Sequence, residues 1–318
     1  MPPFPLPNAT MSFLSLVVAL FLEQLRPLSH PSVFELWFAR YANRLSRNLN
    51  AGQSVHGTIA WMLGVVPWVA AAVIVHYVLT GLNPLLGWVW DVAVLYACIN
   101  FKQVTQDYSA VADALRSGEL DKARGLIADW RGEPAAEWSE REIARAAIET
   151  VFVRAHRDLL AVIAWFMVLP GPAGAVLYKL SAILAEKWGH RSGEELGSFG
   201  HFSARMFELL DWVPLRLTAI GFAIVGDFED AVECWRAQAT SWPDPATGVI
   251  LASGAGALDV RLGGPLPKEG GVNYRPELGL GDDPDASYMQ SAAGLVWRTL
   301  IIWMIVLLLI SLARWIGA

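Results

Sequence analysis

At 318 residues, 54% of them hydrophobic and 17% charged, the chain is more apolar than a soluble domain of this length requires. Its formal net charge is −6 and no arginine-rich stripe interleaves with aromatics, which excludes nucleic acid as a partner. Cys98 and Cys234 are the only cysteines and lie far apart, so neither a disulfide framework nor a cysteine metal pair is built, and no metal-ligating cluster is read.

Several of the 15 tryptophans, Trp61, Trp68, Trp88, Trp90, Trp297 and Trp315 among them, flank apolar runs at the positions where an amphipathic ring sits at headgroup depth. The pattern predicts an all-α polytopic membrane protein. Its core would be a bundle of about five to six transmembrane or re-entrant helices, with spans near 11–22, 57–81, 85–101, 159–184, 206–226 and 295–316.

Residues 1–10 hold four prolines and no charge, and the apolar run Met11–Leu22 behind them is short for a span. It lacks the basic start and small-residue cleavage site of a signal peptide, so it reads as a first, half-embedded helix. The loop 23–56 carries Arg26, Arg40, Arg44 and Arg47 against two acids, which places it on the cytoplasmic side. Phe34, Trp37, Phe38, Tyr41 and Leu45 recur in it at helical spacing. An amphipathic helix on the membrane face and one packed on the bundle both account for that spacing.

Two spans follow, 57–81 and 85–101, joined at Asn83-Pro84 into a hairpin in which His76 and Asp91 are ionisable groups at membrane depth. Each reads equally as a functional group, a boundary residue or a polar group satisfied within the bundle. The polar segment 102–158 returns to the cytoplasmic side. There Tyr108–Arg124 predicts two short helices broken at Gly118, and Ser139-Glu-Arg-Glu142 opens a further helix with a capping box. Arg145 and Glu149 are four apart on that helix and form either an ion pair or an ordinary surface pair.

The run 159–184 is split by Pro170-Gly171-Pro172-Ala-Gly174, which predicts a re-entrant or two-part segment, or a plain turn between short helices. A loop with His190, Arg191 and His201 follows, with glycines suited to an anion but no phosphate-loop motif. In the next span Glu208, Asp211 and Arg216 bracket Trp212 and Pro214. Arg216 at a membrane boundary is expected to face protein, water or a ligand, with Asp211 or Glu208 beside it, or else to snorkel to headgroups. Residues 227–290, rich in Gly, Pro and Asp, are read as a loop-rich flap, and 295–316 as the clearest span.

With these pieces in order the chain resembles the membrane proteins of the CobD/CbiB family of cobalamin biosynthesis and their relative AmpE, over nearly its whole length. The resemblance is carried by Leu115–Arg124, by Arg145-Ala-Ala-Ile-Glu149, by Pro172-Ala-Gly-Ala with Tyr178-Lys179, by Phe199-Gly200 and Ala204-Arg205, by Trp212-x-Pro214-x-Arg216-Leu-Thr218, and by Arg261-Leu-Gly-Gly264. In CobD/CbiB it implies amide formation between adenosylcobyric acid and aminopropanol or its phosphate, with ATP and Mg²⁺ as cofactors of that synthase reading only.

The chain departs from the synthase pattern where oxygen ligands are expected. Val153 and Arg154 replace an acid and an asparagine; Ala182, Ile183 and Ala185 replace Asn, Thr and Asp; Phe207 and Glu208 replace paired aspartates; and Ala246 replaces an asparagine. Such losses weigh against a conventional synthase, because Mg²⁺ and phosphates need hard oxygens and cations to hold them.

The resemblance implies a ligand-binding set of Arg145, Glu149, Lys179, Arg205, Glu208, Asp211, Arg216 and Arg261, in which the guanidinium groups of Arg205 and Arg216 are held away from lipid to meet a corrinoid carboxylate or a phosphate. The AmpE-like features, Leu210-Asp211-Trp212 through Gly226 with Trp235, imply instead a non-catalytic membrane protein that handles a cell-envelope metabolite in β-lactamase control or docks a protein partner through 102–158. Both readings place the chain in the lipid bilayer of the bacterial inner membrane, crossing it several times.

Overall fold

The computed structural model describes residues 9–27, 33–50, 52–189, 197–268 and 270–316. Most of the loop with His190 and Arg191 lies outside them, as does the proline-rich start. Among the described residues the helices are α1 (Ala9–Leu25), α2 (Val33–Leu49), α3 (Ser54–Leu82), α4 (Pro84–Cys98), α5 (Phe101–Arg116), α6 (Leu120–Arg131), α7 (Glu140–Ala155), α8 (Ala161–Val168), α9 (Ala173–Leu184), α10 (His201–Val225), α11 (Phe228–Gln238), α12 (Pro245–Leu258) and α13 (Ala286–Ile316). Short strands β1 (Leu262–Gly263), β2 (Leu266–Lys268), β3 (Gly271–Asn273) and β4 (Glu277–Leu278) lie between α12 and α13.

Helices long and apolar enough to cross a membrane cover Ser54–Leu82, Pro84–Arg116 and Ala286–Arg314, and the fold is that of an all-α polytopic membrane protein. Among the described residues these three meet that length and composition, and the other segments expected from the sequence are shorter or more polar. At 1.5 Å per residue the eight residues of α8 and twelve of α9 fall well short of a hydrocarbon core about 30 Å thick. Helix α10 is long enough, at 25 residues, but Arg205, Glu208, Asp211 and Arg216 break its apolar character.

The chain divides into two units. The first comprises Met1–Asn100, Arg157–Pro214 and Val306–Ala318. Its α3–α4 hairpin turns at Asn83, whose side chain accepts from the Leu85 N–H at 2.8 Å, with Pro84 opening α4 where no backbone donor is required. Two polar contacts tie the hairpin together at depth: Trp90 Nε1–H donates to the Ala72 carbonyl at 3.1 Å, and His76 Nδ1 lies 2.6 Å from Asp91 Oδ1. His76 and Asp91 are therefore partners of each other.

The split at 169–172 is a tight turn that folds α9 back on α8. Gly171 has φ +57° and rests on the His76 ring, where a Cβ would come within 2.8 Å of the imidazole. Between α7 and α8, His156–Leu160 form one π-helical turn. Such turns insert a residue into the helical ladder and re-aim the side chains that follow.

The second unit comprises Phe101–His156 and Leu215–Ile305. Helices α5 and α6 meet at Gly118 (φ +71°), and α7 opens with the capping box of Ser139 and Glu142. Within 227–290, α11 and α12 occupy most of 228–258, and loops with short strands fill 259–285. The glycines of Gly248–Leu258, which disfavour an isolated helix, are used here, beside small alanines, for close approach. Gly256 in α12 lies against the Asp230 carbonyl of α11 with no room for a Cβ. Asp244 caps α12, accepting from the Ala246 and Thr247 N–H groups.

After α12 the chain forms two antiparallel ribbons, β1 with β4 and β2 with β3. Trp138, buried ahead of α7, donates its Nε1–H to the Pro267 carbonyl at 2.9 Å and so ties the β2–β3 ribbon to the helical layer.

Candidate functional site

The residues singled out in the sequence fall into two groups, one in each unit. In the second unit the centre is Glu149, 3% exposed on the inner face of α7. A carboxylate buried so deeply requires donors. Gly263 supplies its backbone N–H to Glu149 Oε1 at 2.8 Å, and Arg275 grips the same carboxylate with both terminal nitrogens, Nη1 to Oε2 at 2.7 Å and Nη2 to Oε1 at 3.1 Å. Arg131 Nη1 adds a looser ion pair at 3.8 Å.

Arg145, one turn earlier on α7, does not pair with Glu149. It donates Nη1–H to the Gly263 carbonyl at 2.8 Å, so the two residues expected as a helical pair hold the two sides of one peptide segment instead. Only glycine fits there. Gly263 has φ +74°, and a Cβ would collide with the Pro276 carbonyl.

Arg275 also donates Nε–H to the Gly264 carbonyl at 3.1 Å and lies over the Trp242 ring at 5.3 Å, which immobilises its planar fork. Arg131 is positioned by the Ala146 carbonyl and the Thr150 hydroxyl and packs on the Trp138 ring. Both guanidinium groups face a cleft of about 170 Å³, whose far wall is the β2–β3 ribbon with Lys268 and Asn273. Three cations and an amide converge on it against a single acid, Glu133, whose Oε2 lies 3.6 Å from Arg131 Nη2. Arg131 Nε and Arg145 Nε are buried donors that make no hydrogen bond. With the Arg275 fork committed to Glu149, the cleft offers an oxyanion the remaining Nη–H capacity of Arg131 and Arg275 and the point charge of Lys268.

Arg261, close in sequence, is half exposed and lies 4.0 Å from Glu277, with its backbone N–H on the Asp282 carbonyl. A wider hollow of about 650 Å³ along α11, past Phe228, Glu233 and Arg236, gathers no buried charge.

In the first unit the centre is Lys179, 5% exposed on α9, with Nζ 2.9 Å from Asp158 Oδ1 and 2.8 Å from Glu35 Oε1. Asp158 belongs to the π-helical turn and Glu35 to α2. The neighbouring Tyr178 donates its O–H to Asp211 Oδ1 at 2.7 Å, both buried.

Arg205 and Glu208 both stand exposed on α10. The buried stripe of that helix runs through Ser203, Leu210, Asp211, Pro214, Leu215, Thr218 and Phe222, and neither residue lies on it. Arg216 is half buried and has an interaction partner. The structure thus joins Arg145 to Glu149 through Gly263, and Lys179 to Asp211 through Tyr178, while Arg205, Glu208 and Arg261 join neither centre.

Glu35, Asp158, Arg131 and Arg275 were not among the residues expected. Asp158 had a sequence signal, an acid at the mouth of an apolar run. Arg275 had none, standing in the Gly/Pro/Asp-rich stretch.

The family described as CobD/Cbib protein matches residues 12–296, most of the chain. The chain belongs to the CobD/CbiB family. A relative from Stutzerimonas stutzeri, "Cobalamin biosynthesis protein CobD", is 37% identical over 303 residues, 93% of this chain and 97% of that one. A protein of the same name from Chromobacterium violaceum is 36% identical over 220 residues, 69% of this chain and 70% of the other, and one from Pelobacter propionicus is 27% identical over 300 residues, 93% and 90%. No solved structure matches the chain.

The synthase activity associated with CobD/CbiB brings Mg²⁺ and ATP into question. Glu149 is taken up by Arg275 and a backbone N–H, and Asp158 and Glu35 by Lys179. Among the described residues no group of three His, Cys, Asp or Glu side chains is arranged for a metal ion. The buried carboxylates here do not fit a Mg²⁺-nucleotide.

Proposed function

We propose that this CobD/CbiB protein works in cobalamin biosynthesis, at the joining of aminopropanol or its phosphate to adenosylcobyric acid. Its own residues bind and orient an anionic group of one reactant. The observation that carries this reading is the cleft where Arg131 and Arg275, held rigid by Glu149 and by the Trp138 and Trp242 rings, present their donors beside Lys268. Two preset guanidinium planes and an ammonium recognise a carboxylate or phosphate and hold it in one orientation, which is what bringing a carboxyl group to an amine requires. The names of the relatives support the pathway. The spanning helices and the arginine excess of 23–56 support a multi-pass location in the bacterial inner membrane with that loop toward the cytoplasm.

The test is titration calorimetry of the full-length protein in neutral detergent against adenosylcobyric acid and against aminopropanol phosphate, paired with growth of a deletion strain on cobyric acid. Lys268→Ala, at an exposed position, is expected to weaken binding about tenfold while leaving the thermal midpoint in place, the loss of roughly one charge-assisted contact. Normal corrinoid-dependent growth of the deletion strain, with no binding of either compound at millimolar concentration, overturns the reading. An altered β-lactam response in that strain would move it to the AmpE-like role.

A further inference from the structure

Helix α2 is amphipathic in an unusual sense: its inward face is not its only apolar one. Glu35, Phe38 and Ala42 are buried, while Leu36, Trp37, Arg40, Arg44 and Arg47 are exposed. At about 100° per residue these five lie within an arc of roughly 100° on the side opposite the buried stripe. The only acid of α2, Glu35, is turned inward to Lys179, so the outer strip carries three arginines and no counter-charge of its own. Its first turns are apolar, with Phe34 38% exposed and Leu36 and Trp37 each 44%.

The helix is held against α3, a spanning helix. Trp37 meets the Trp68 ring edge-on at 5.0 Å, and the Tyr41 hydroxyl donates to the Leu63 carbonyl at 3.1 Å. Beside this seam α3 exposes Ile59, Met62, Leu63 and Val66, the surface a spanning helix turns to acyl chains.

We propose that the outer face of α2 binds the headgroup of an anionic phospholipid, with Arg40, Arg44 and Arg47 on the phosphate and glycerol and the acyl chains against α3. A flat open strip lacks the enclosing donors that a free phosphate needs, whereas Leu36 and Trp37 in line with the arginines match a ligand that is apolar at one end and anionic at the other. The proposal is independent of the cleft around Arg275.

Full-length protein in neutral detergent is tested with phosphatidylglycerol, with phosphatidylcholine of the same chains, and with inorganic phosphate, reading lipid adducts by native mass spectrometry and the thermal midpoint in parallel. Phosphatidylglycerol is expected to bind and stabilise, and phosphatidylcholine to do neither. Each arginine near an anionic headgroup contributes about fivefold, so Arg40→Gln/Arg44→Gln/Arg47→Gln together should weaken phosphatidylglycerol binding roughly a hundredfold, and the triple Lys variant should retain it. Binding should also weaken between about 0.1 and 0.5 M salt. Equal binding of the two lipids overturns the proposal, as does displacement of phosphatidylglycerol by millimolar phosphate. Undiminished binding by a helical Gln variant does the same. Should the Gln variant fail to fold, salt-insensitive binding by the wild type is decisive against it.

Discussion

The two buried charge centres are opposites. In the first unit a cation, Lys179, sits between the carboxylates of Asp158 and Glu35, and all three side chains are at least nine-tenths buried. In the second unit an acid, Glu149, sits among guanidinium groups, and two of those, Arg131 and Arg275, reach past it to a cleft. Desolvating charge costs several kcal/mol per ion and is offset only by close, well-aligned partners. The Lys179 centre spends its donors inward and pins α2, the π-helical turn and α9 together. The Glu149 centre keeps donors in reserve, and a reserve of oriented positive charge at the edge of a cavity is what a ligand can use. A perturbed, buried charge is thus a sign of function only when part of its bonding capacity points outward.

The sharpest way to break this contrast is Lys179→Met. It takes the ammonium from between two buried carboxylates and should cost about 3–5 kcal/mol, the usual penalty for removing one partner of a buried pair. A fall in the detergent thermal midpoint, with near-normal anion affinity in whatever folds at low temperature, is the expected pair of results. Loss of affinity without loss of stability would make Lys179 a ligand-binding residue and dissolve the distinction between the centres.

Glu149→Gln is the matching change in the other unit. It keeps an acceptor for the Gly263 N–H but removes the charge that fixes Arg275, a loss of about 1.5–3 kcal/mol of charge-assisted bonding. The effect on stability should be smaller than at Lys179, because Arg275 keeps the Gly263 and Gly264 carbonyls and the cleft admits water. Anion affinity should still fall, since a guanidinium free to rotate pays an ordering cost on binding. Calorimetric titration of the variant against the wild type decides whether the two effects separate.

What the sequence revealed of these centres was local. The Ser139 capping box, the Asn83-Pro84 turn, the break at Pro170–Pro172 and the common face of Arg145 and Glu149 are all set by residues within a few positions of one another, where helical geometry dictates the outcome. Partner choice was not legible. Arg275 is 126 residues from Glu149 and lies in a stretch whose Gly, Pro and Asp content signals turns and nothing about charge pairing. Glu35 sat in an amphipathic helix where an acid normally faces water. Asp211 lies on the buried stripe of α10, whereas Arg205 and Glu208 fall one side of it, a difference of rotation that a cluster of charges in the sequence conceals. The glycines of α12 misled in the other direction, since their role in close helix packing depends on α11.

The mildest probe addresses the cleft wall alone. Trp138→Phe preserves a buried ring beneath Arg131 but removes the Nε1–H that holds the Pro267 carbonyl at 2.9 Å. A neutral hydrogen bond of this kind contributes about 0.5–1.5 kcal/mol, so the thermal midpoint should move little. The consequence reaches further than the energy. Pro267 is next to Lys268 on β2, and with its tether cut the β2–β3 ribbon samples positions in which the ammonium no longer faces the two guanidinium groups. Anion affinity should therefore drop severalfold, by less than in Lys268→Ala, and combining the two changes should give little more than Lys268→Ala alone, because a positioning residue has no effect once the group it positions is gone. Full additivity in that double-mutant cycle would mean that Trp138 acts on the cleft through Arg131, and the reserve of charge would then belong to the helical wall and not to the ribbon.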